Sequence, residues 1–146
     1  MKRKINDMKL RLPAKSVNEA VARSVISAFC AELDPSVEEL GDLRCAVSEA
    51  VTNCIVHAYP DAIGQIILRA GIVGRELHIT VRDRGVGIAD VAKACEPMFT
   101  TGNDERSGMG FTIMQTFMHD LKVTSQPGKG TTVHMKRIVG RRGGRA

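Results

Sequence analysis

Between Ser36 and Tyr59 apolar residues recur at helical spacing, and this stretch limits the possible folds more than any other. At about 100° per residue, Leu43, Val47, Val51, Cys54 and Ala58 gather on one side and require a core. Glu49, Asn53 and His57 follow one another four residues apart on another stripe, flanked by the small side chains of Ala46 and Ala50. Polar groups beside alanines form a candidate ligand site, although Glu-x-x-x-Asn alone also fits a solvated helix face. Ser36 or Asp34-Pro35 opens this helix, acids occupy its first turn, and it ends near Tyr59-Pro60.

Elements of both types surround it. Lys9–Pro13 alternates in type and reads as a short edge strand, stopped by a residue that cannot donate to a ladder. Ser16-Val-Asn-Glu19 reads as a capping box for a helix reaching Leu33. Gln65–Val73 and Glu76–Arg82 are strands joined by a hairpin turn at Gly74-Arg75, and they form the middle of a sheet. A short helical piece spans Asp90–Cys95. Residues 96–107 lack periodicity and read as a long mobile loop, of the kind that in compact domains is usually functional. Phe111–Met118 is a buried helix, and strands Leu121–Ser125 and Thr131–Met135 flank a turn at 127–130. The order predicts an α+β fold, a two-layer α/β sandwich with a largely antiparallel sheet. It has one domain, residues 1–136, and a basic tail, 137–146.

The totals narrow the class. The formal net charge is +5, yet three basic and one acidic residue lie in 1–7 and five basic ones in 136–146. From totals of 21 and 16 this leaves 13 basic against 15 acidic residues, so the excess belongs to the ends. Solvated tails explain it, and direct nucleic-acid binding is not expected. With no Trp and one Tyr, platforms for stacking single-stranded bases are scarce. Cys30, Cys45, Cys54 and Cys95 form no C-x-x-C pair, and three of the four read as small buried hydrophobes. No apolar run follows the amino terminus and none is long enough to cross a bilayer, which predicts a cytoplasmic protein.

Two glycine motifs carry the chemistry. Asp83-x-Gly85-x-Gly87 at a strand end places a carboxyl group beside backbone with little steric cover, although an acidic turn fits the same residues. Gly108-x-Gly110 precedes a helix, where backbone N–H groups and the helix dipole bind phosphate. No G-x-x-x-x-G-K-[ST] is present and the third Gly of a dinucleotide fingerprint would fall at Ile113, so P-loop and Rossmann readings fail.

Taken in order, Glu49–Asn53 resembles the N box, Asp83–Gly87 the first glycine box and Ser107–Phe111 the second glycine box of the gyrase, Hsp90, histidine kinase and MutL ATP-binding superfamily. Phe99-Thr-Thr101, Glu105-Arg-Ser107 and Gly130-Thr-Thr132 narrow the resemblance to the serine kinase anti-sigma factors, and within them to the sporulation branch. It covers nearly all of residues 8–136.

The resemblance implies a Bergerat-type fold, ATP and Mg²⁺ as cofactors, and phosphorylation of a serine on an anti-anti-sigma antagonist. It further implies sequestration of a sigma F type sigma factor and a homodimer, for which the amino-terminal strand is the expected pairing edge. Asn53 takes the family's Mg²⁺-ligand role and Glu49 its general-base role. Asp83 would accept the adenine amino hydrogen, with Thr132 supporting the same base edge and Gly85 and Gly87 letting base and ribose approach backbone. Gly108, Met109 and Gly110 would cradle phosphates. Arg106 would neutralise γ-phosphate charge, with Thr100 and Thr101 as polar lid contacts. Arg23, on the first long helix, becomes a candidate partner contact in place of a solvated charge. For His57 the preferred reading is local, capping carbonyls or packing beside Tyr59. Rival readings are the stress-response branch, an ATP-switched binding module without phosphoryl transfer, and the ATP-binding half of a sensor histidine kinase.

Overall fold

The computed structural model describes residues 4–59, 62–94 and 107–140, with side chains at 92, 93 and 107–110 outside that description. Strand β1 runs from Lys4 to Pro13, five residues longer at its start than the alternation indicates. Helix α1 (Val17–Phe29) passes into a 3-10 turn at Cys30–Leu33. Helix α2 (Val37–Asn53) continues into a π-helical turn, Cys54–Ala58. Strands β2 (Gln65–Val73) and β3 (Glu76–Asp83) follow, then the single turn α3 (Val91–Ala94), helix α4 (Ser107–Phe117), β4 (Asp120–Gln126) and β5 (Gly130–Ile138).

The five strands lie in the order β1-β2-β3-β5-β4, every neighbouring pair antiparallel, so β1 is an edge as expected. Alternation sends Leu10, Leu68, Val81, Val133 and Val123 across the sheet toward the helices in one continuous rung. Helix α2 packs between α1 and α4 and supplies the buried Leu43, Ala46, Val47, Ala50 and Val51. Burying each of the larger ones contributes about 1.5–3 kcal/mol, which is why the Ser36–Tyr59 periodicity organises the domain. The two-layer α+β sandwich is the architecture found.

Local signals differ at three places. The capping box forms at Ser36, whose Oγ accepts the Glu39 N–H at 3.0 Å while Glu39 Oε1 accepts the Ser36 N–H at 2.9 Å. The one expected at Ser16 does not form: Ser16 is already helical, at φ −53° and ψ −38°. Its partner Glu19 is taken elsewhere, accepting from Ser48 Oγ of α2 at 2.8 Å and pairing with Arg23 one turn along α1 at 2.5 Å. Cys30 and Cys54 are buried as expected, but Cys45 is exposed on α2 and Cys95 lies outside the described residues.

Strand β5 and its contacts continue past residue 136. Arg137 reaches Asp42 at 3.0 Å and the Phe117 carbonyl, Val139 is fully buried, and the Gly140 N–H meets the Glu39 carboxyl at 3.1 Å. Basic composition suggested a tail, whereas pairing with β3 carries the strand through Ile138.

Candidate functional site

A cavity of about 420 Å³ opens between the helix layer and the end of β3, a volume suited to a small-molecule ligand. Ala50, Asn53, Cys54, His57 and Ala58 form one wall, Val86 to Asp90 another, and Asp83, Thr131 and Val133 the floor, with Phe111 of α4 closing one end. Ala50 keeps the wall low, as its small side chain predicts. The π-helical turn begins at Cys54, immediately after Asn53, and π turns recur at functional sites because they redirect side chains within a helix.

Asp83 is the buried polar centre, 6% exposed. Its Oδ1 accepts the N–H of Gly85 at 2.9 Å and of Thr131 at 3.2 Å, and its Oδ2 lies 3.5 Å from Cys54 Sγ. A carboxylate has about four acceptor positions. Three are used within the chain, which leaves capacity for one donor from a ligand on the cavity floor. Burial first, then the Asp83 charge and the hydrogen bond to it, push the Cys54 thiol well above the ordinary cysteine range.

The glycines of this loop serve the chain's own packing. A Cβ at Gly85 would stand 2.1 Å from the Ala58 carbonyl oxygen, which accepts the Val86 N–H at 2.9 Å. Gly87 has φ +77°, and a Cβ there would stand 2.2 Å from the Gln126 carbonyl oxygen. Gly128 N–H donates to the Val86 carbonyl at 2.7 Å, and Ile88 N–H to Ser125 Oγ at 2.7 Å. The loop is therefore stitched between the π turn and the β4–β5 hairpin. Tyr59 adds a staple, its OH donating to the Gln65 carbonyl at 2.7 Å and accepting the Arg84 N–H at 2.8 Å.

The expected site residues divide into groups. Asn53, Asp83 and Gly87 line one cavity, and Gly85 adjoins it. Glu49 is half-buried one turn before Asn53 on α2, and does not itself line the cavity. Gly108, Met109 and Gly110 form the first turn of α4, where sequence reasoning placed them before the helix. Their amides lack intrahelical acceptors in either case, and Phe111 brings that turn to the cavity. Thr100, Thr101 and Arg106 lie outside the described residues. His57 is a cavity wall residue, a placement the local reading does not anticipate. Thr132 faces the opposite side of the sheet. Thr131 lines the cavity, its N–H on Asp83 and its Oγ1 2.8 Å from Ser125 Oγ. Strand parity with the inward Val133 and Met135 was the signal that identifies Thr131. Arg23 is not a free charge: it pairs with Glu19 and through it reaches Ser48, beside Glu49.

A nucleotide-sized cavity with a buried carboxyl on its floor, a helix amide on its wall and a glycine-opened helix at its end defines an ATP-binding domain of the histidine-kinase type. The chain belongs to the histidine kinase-like ATPase domain family, whose model matches residues 12–137. Within it the chain is similar to the anti-sigma F factors. It is 56% identical over 137 residues to that of Caldanaerobacter subterraneus subsp. tengcongensis, covering 93% of this chain and 96% of the relative. It is 50% identical over 133 residues to that of Clostridium acetobutylicum, covering 90% and 93%. Among solved structures, the RsbU and RsbW domains of a Mycobacterium tuberculosis protein match with TM-score 0.69 at 18% identity, over 94% of this chain and 34% of that one. That likeness concerns the fold. A blue-light activated histidine kinase of Erythrobacter litoralis matches with TM-score 0.58 at 32% identity, over 75% and 33%. The resemblance read from the three boxes is borne out.

Proposed function

We propose that this protein is an anti-sigma factor that sequesters a sigma factor of the sigma F type. In this reading it is also a serine kinase that inactivates its anti-anti-sigma antagonist with Mg-ATP. The observation that carries the reading is the convergence of Asn53 and Asp83 on one cavity in a chain so similar to anti-sigma F factors. Asp83 receives the adenine amino group, supported by Thr131, and the amides of residues 108–110 receive phosphate.

The donor set fits Mg²⁺ held jointly with nucleotide. Among the described residues no group of three or more His, Cys, Asp or Glu could hold a metal, while Asn53 offers one hard carbonyl oxygen beside the cavity. When bound, Mg²⁺ would neutralise phosphate charge. Glu49, one turn away, would take the proton from the substrate serine hydroxyl as that oxygen attacks the γ-phosphorus and the bond to the β-phosphate oxygen breaks, releasing ADP, and Arg106 would balance the charge that develops. Phosphorylation places a doubly charged group on the antagonist and weakens its contact, so sequestration persists. Arg23 and Glu19 on α1 form part of the partner surface, and the protein works as a homodimer in the cytoplasm. Among the described residues no helix is long and apolar enough to cross a membrane.

The test is transfer of radiolabelled phosphate from Mg-ATP to a small antagonist of this type, with native protein, Glu49→Gln and Asn53→Ala. The expected result is serine labelling by the native chain, abolished in Glu49→Gln while nucleotide still binds. Tight ATP binding with no transfer would overturn the kinase reading and leave an ATP-switched binding module.

A further inference from the structure

The helix-free face of the sheet carries an uneven charge. On β1, Lys9 and Arg11 point outward; on β2, Arg69 does, and beside them stand Arg82 and Arg84 at the end of β3, all five exposed. They surround a recess of about 310 Å³ floored by Ile67, with the hydroxyls of Thr80 and Thr132 at its side. Among the described residues no carboxylate lines it, and none of the five cations has an ion-pair partner.

The strand register makes this arrangement costly on its own. Lys9 is directly opposite Arg69, and Arg11 and Arg82 flank Ile67 from either side. Like charges directly opposite on one face destabilise a sheet, and no acid stands directly opposite any of these cations in the register. The acids of this face lie beyond the recess and are already matched: Asp7, two residues along β1 from Lys9, pairs with Lys4, Glu76 meets His78, and Asp120 stands opposite Lys136.

We propose that this recess binds a compact, multiply charged oxyanion, a polyphosphate group, at a site separate from the nucleotide cavity. Four of its five cations are arginines, whose planar forks bind oxyanions in bidentate fashion. The recess is small, and its five cations are gathered at one end of the face. Duplex DNA presents roughly one charge per 1.7 Å and would continue from the basic recess onto Asp7, Glu76 and Asp120. A short anion meets only the basic end. Neutralising the Lys9–Arg69 repulsion couples binding to stability, since a ligand that binds only the folded state raises its melting temperature.

The experiment is calorimetric titration of the full chain with inorganic tripolyphosphate at physiological ionic strength, alongside Arg11→Gln/Arg69→Gln and a short DNA duplex. The expected result is saturable tripolyphosphate binding that raises the Tm and weakens roughly tenfold or more in the double variant. That variant, in which two exposed cations become neutral, keeps a Tm at or above the native value without anion. Equal affinity in native and variant protein would place the anion elsewhere, in the nucleotide cavity included, and would overturn the proposal. So would absence of saturable heat, or saturable binding of the duplex alone.

Discussion

Thr131 and Thr132 are adjacent in β5 and stand on opposite faces of the sheet, one against Asp83 on the cavity floor and the other in the basic recess. Thr131→Val removes a hydroxyl partnered by Ser125 within the cavity, while Thr132→Val leaves the cavity unchanged. A lost hydrogen bond is worth about 1 kcal/mol. Thr131→Val is expected to weaken ATP binding by roughly fivefold to tenfold and Thr132→Val to leave it near the native value, as measured by nucleotide titration.

Asp83 supports the fold as well as the ligand. Asp83→Ala strands the buried N–H groups of Gly85 and Thr131, and each unsatisfied donor costs about 1–3 kcal/mol. Asp83→Asn keeps one oxygen for both. Urea denaturation should show a loss of about 2 kcal/mol or more for Ala and less than half of that for Asn, with nucleotide affinity reduced in both.

Gly85→Ala drives a methyl group into the Ala58 carbonyl at 2.1 Å, a backbone atom that cannot swing aside. The π turn or the loop must move, at a cost of about 1–3 kcal/mol. A lowered unfolding midpoint together with weaker ATP binding is expected, because both walls of the cavity meet at this contact.

Thiol reactivity should separate the cysteines of α2 and its extension. Cys45 is exposed, whereas Cys54 is buried with its thiol pushed well above the ordinary range by burial and by Asp83. Since thiolate is the reactive form, a disulfide reagent at neutral pH should modify Cys45 rapidly, and Cys54 only at the rate of unfolding. Peptide mapping of the labelled protein distinguishes them.

Acid should weaken the fold through His134. Its folded pKa is lowered from the ordinary 6.5, first by burial and then by His78, with Lys122 and Lys136 acting in the same direction and Asp120 against them. His78 Nδ1 lies 3.3 Å from His134 Nε2, and Thr80 Oγ1 lies 3.1 Å from His134 Nδ1. The unfolded chain binds the proton more readily, so this contribution is present above about pH 6.5 and is lost as pH falls through the lower folded value. Denaturant midpoints measured from neutral pH to about pH 5 should fall less steeply in His134→Gln.

The elements were legible because each rests on local chemistry: 3.6-residue apolar spacing in α2, alternation in β2 and β3, and glycines at their turn. Asn53 and Asp83 were legible for a related reason, since a strand end followed by spaced glycines and a helix stripe above alanines are local patterns too. The capping box shows the limit. Ser16–Glu19 and Ser36–Glu39 carry the same signal, and the approach of Ser48 from α2 to Glu19 decides which box closes.

By itself the sequence determined the two-layer architecture, the antiparallel sheet and the residues able to meet a nucleotide, because periodicity and turn chemistry act within a few residues. Tertiary structure decided the rest. It put Thr131 in the cavity and Thr132 on the other face, turned Gly85 and Gly87 toward the chain's own backbone, and bound Gly140 to Glu39. It also gathered Lys9, Arg11, Arg69, Arg82 and Arg84 into one recess of a chain body whose summed charge is slightly acidic. Register across strands far apart in sequence sets each of these, and net charge carries no information about position.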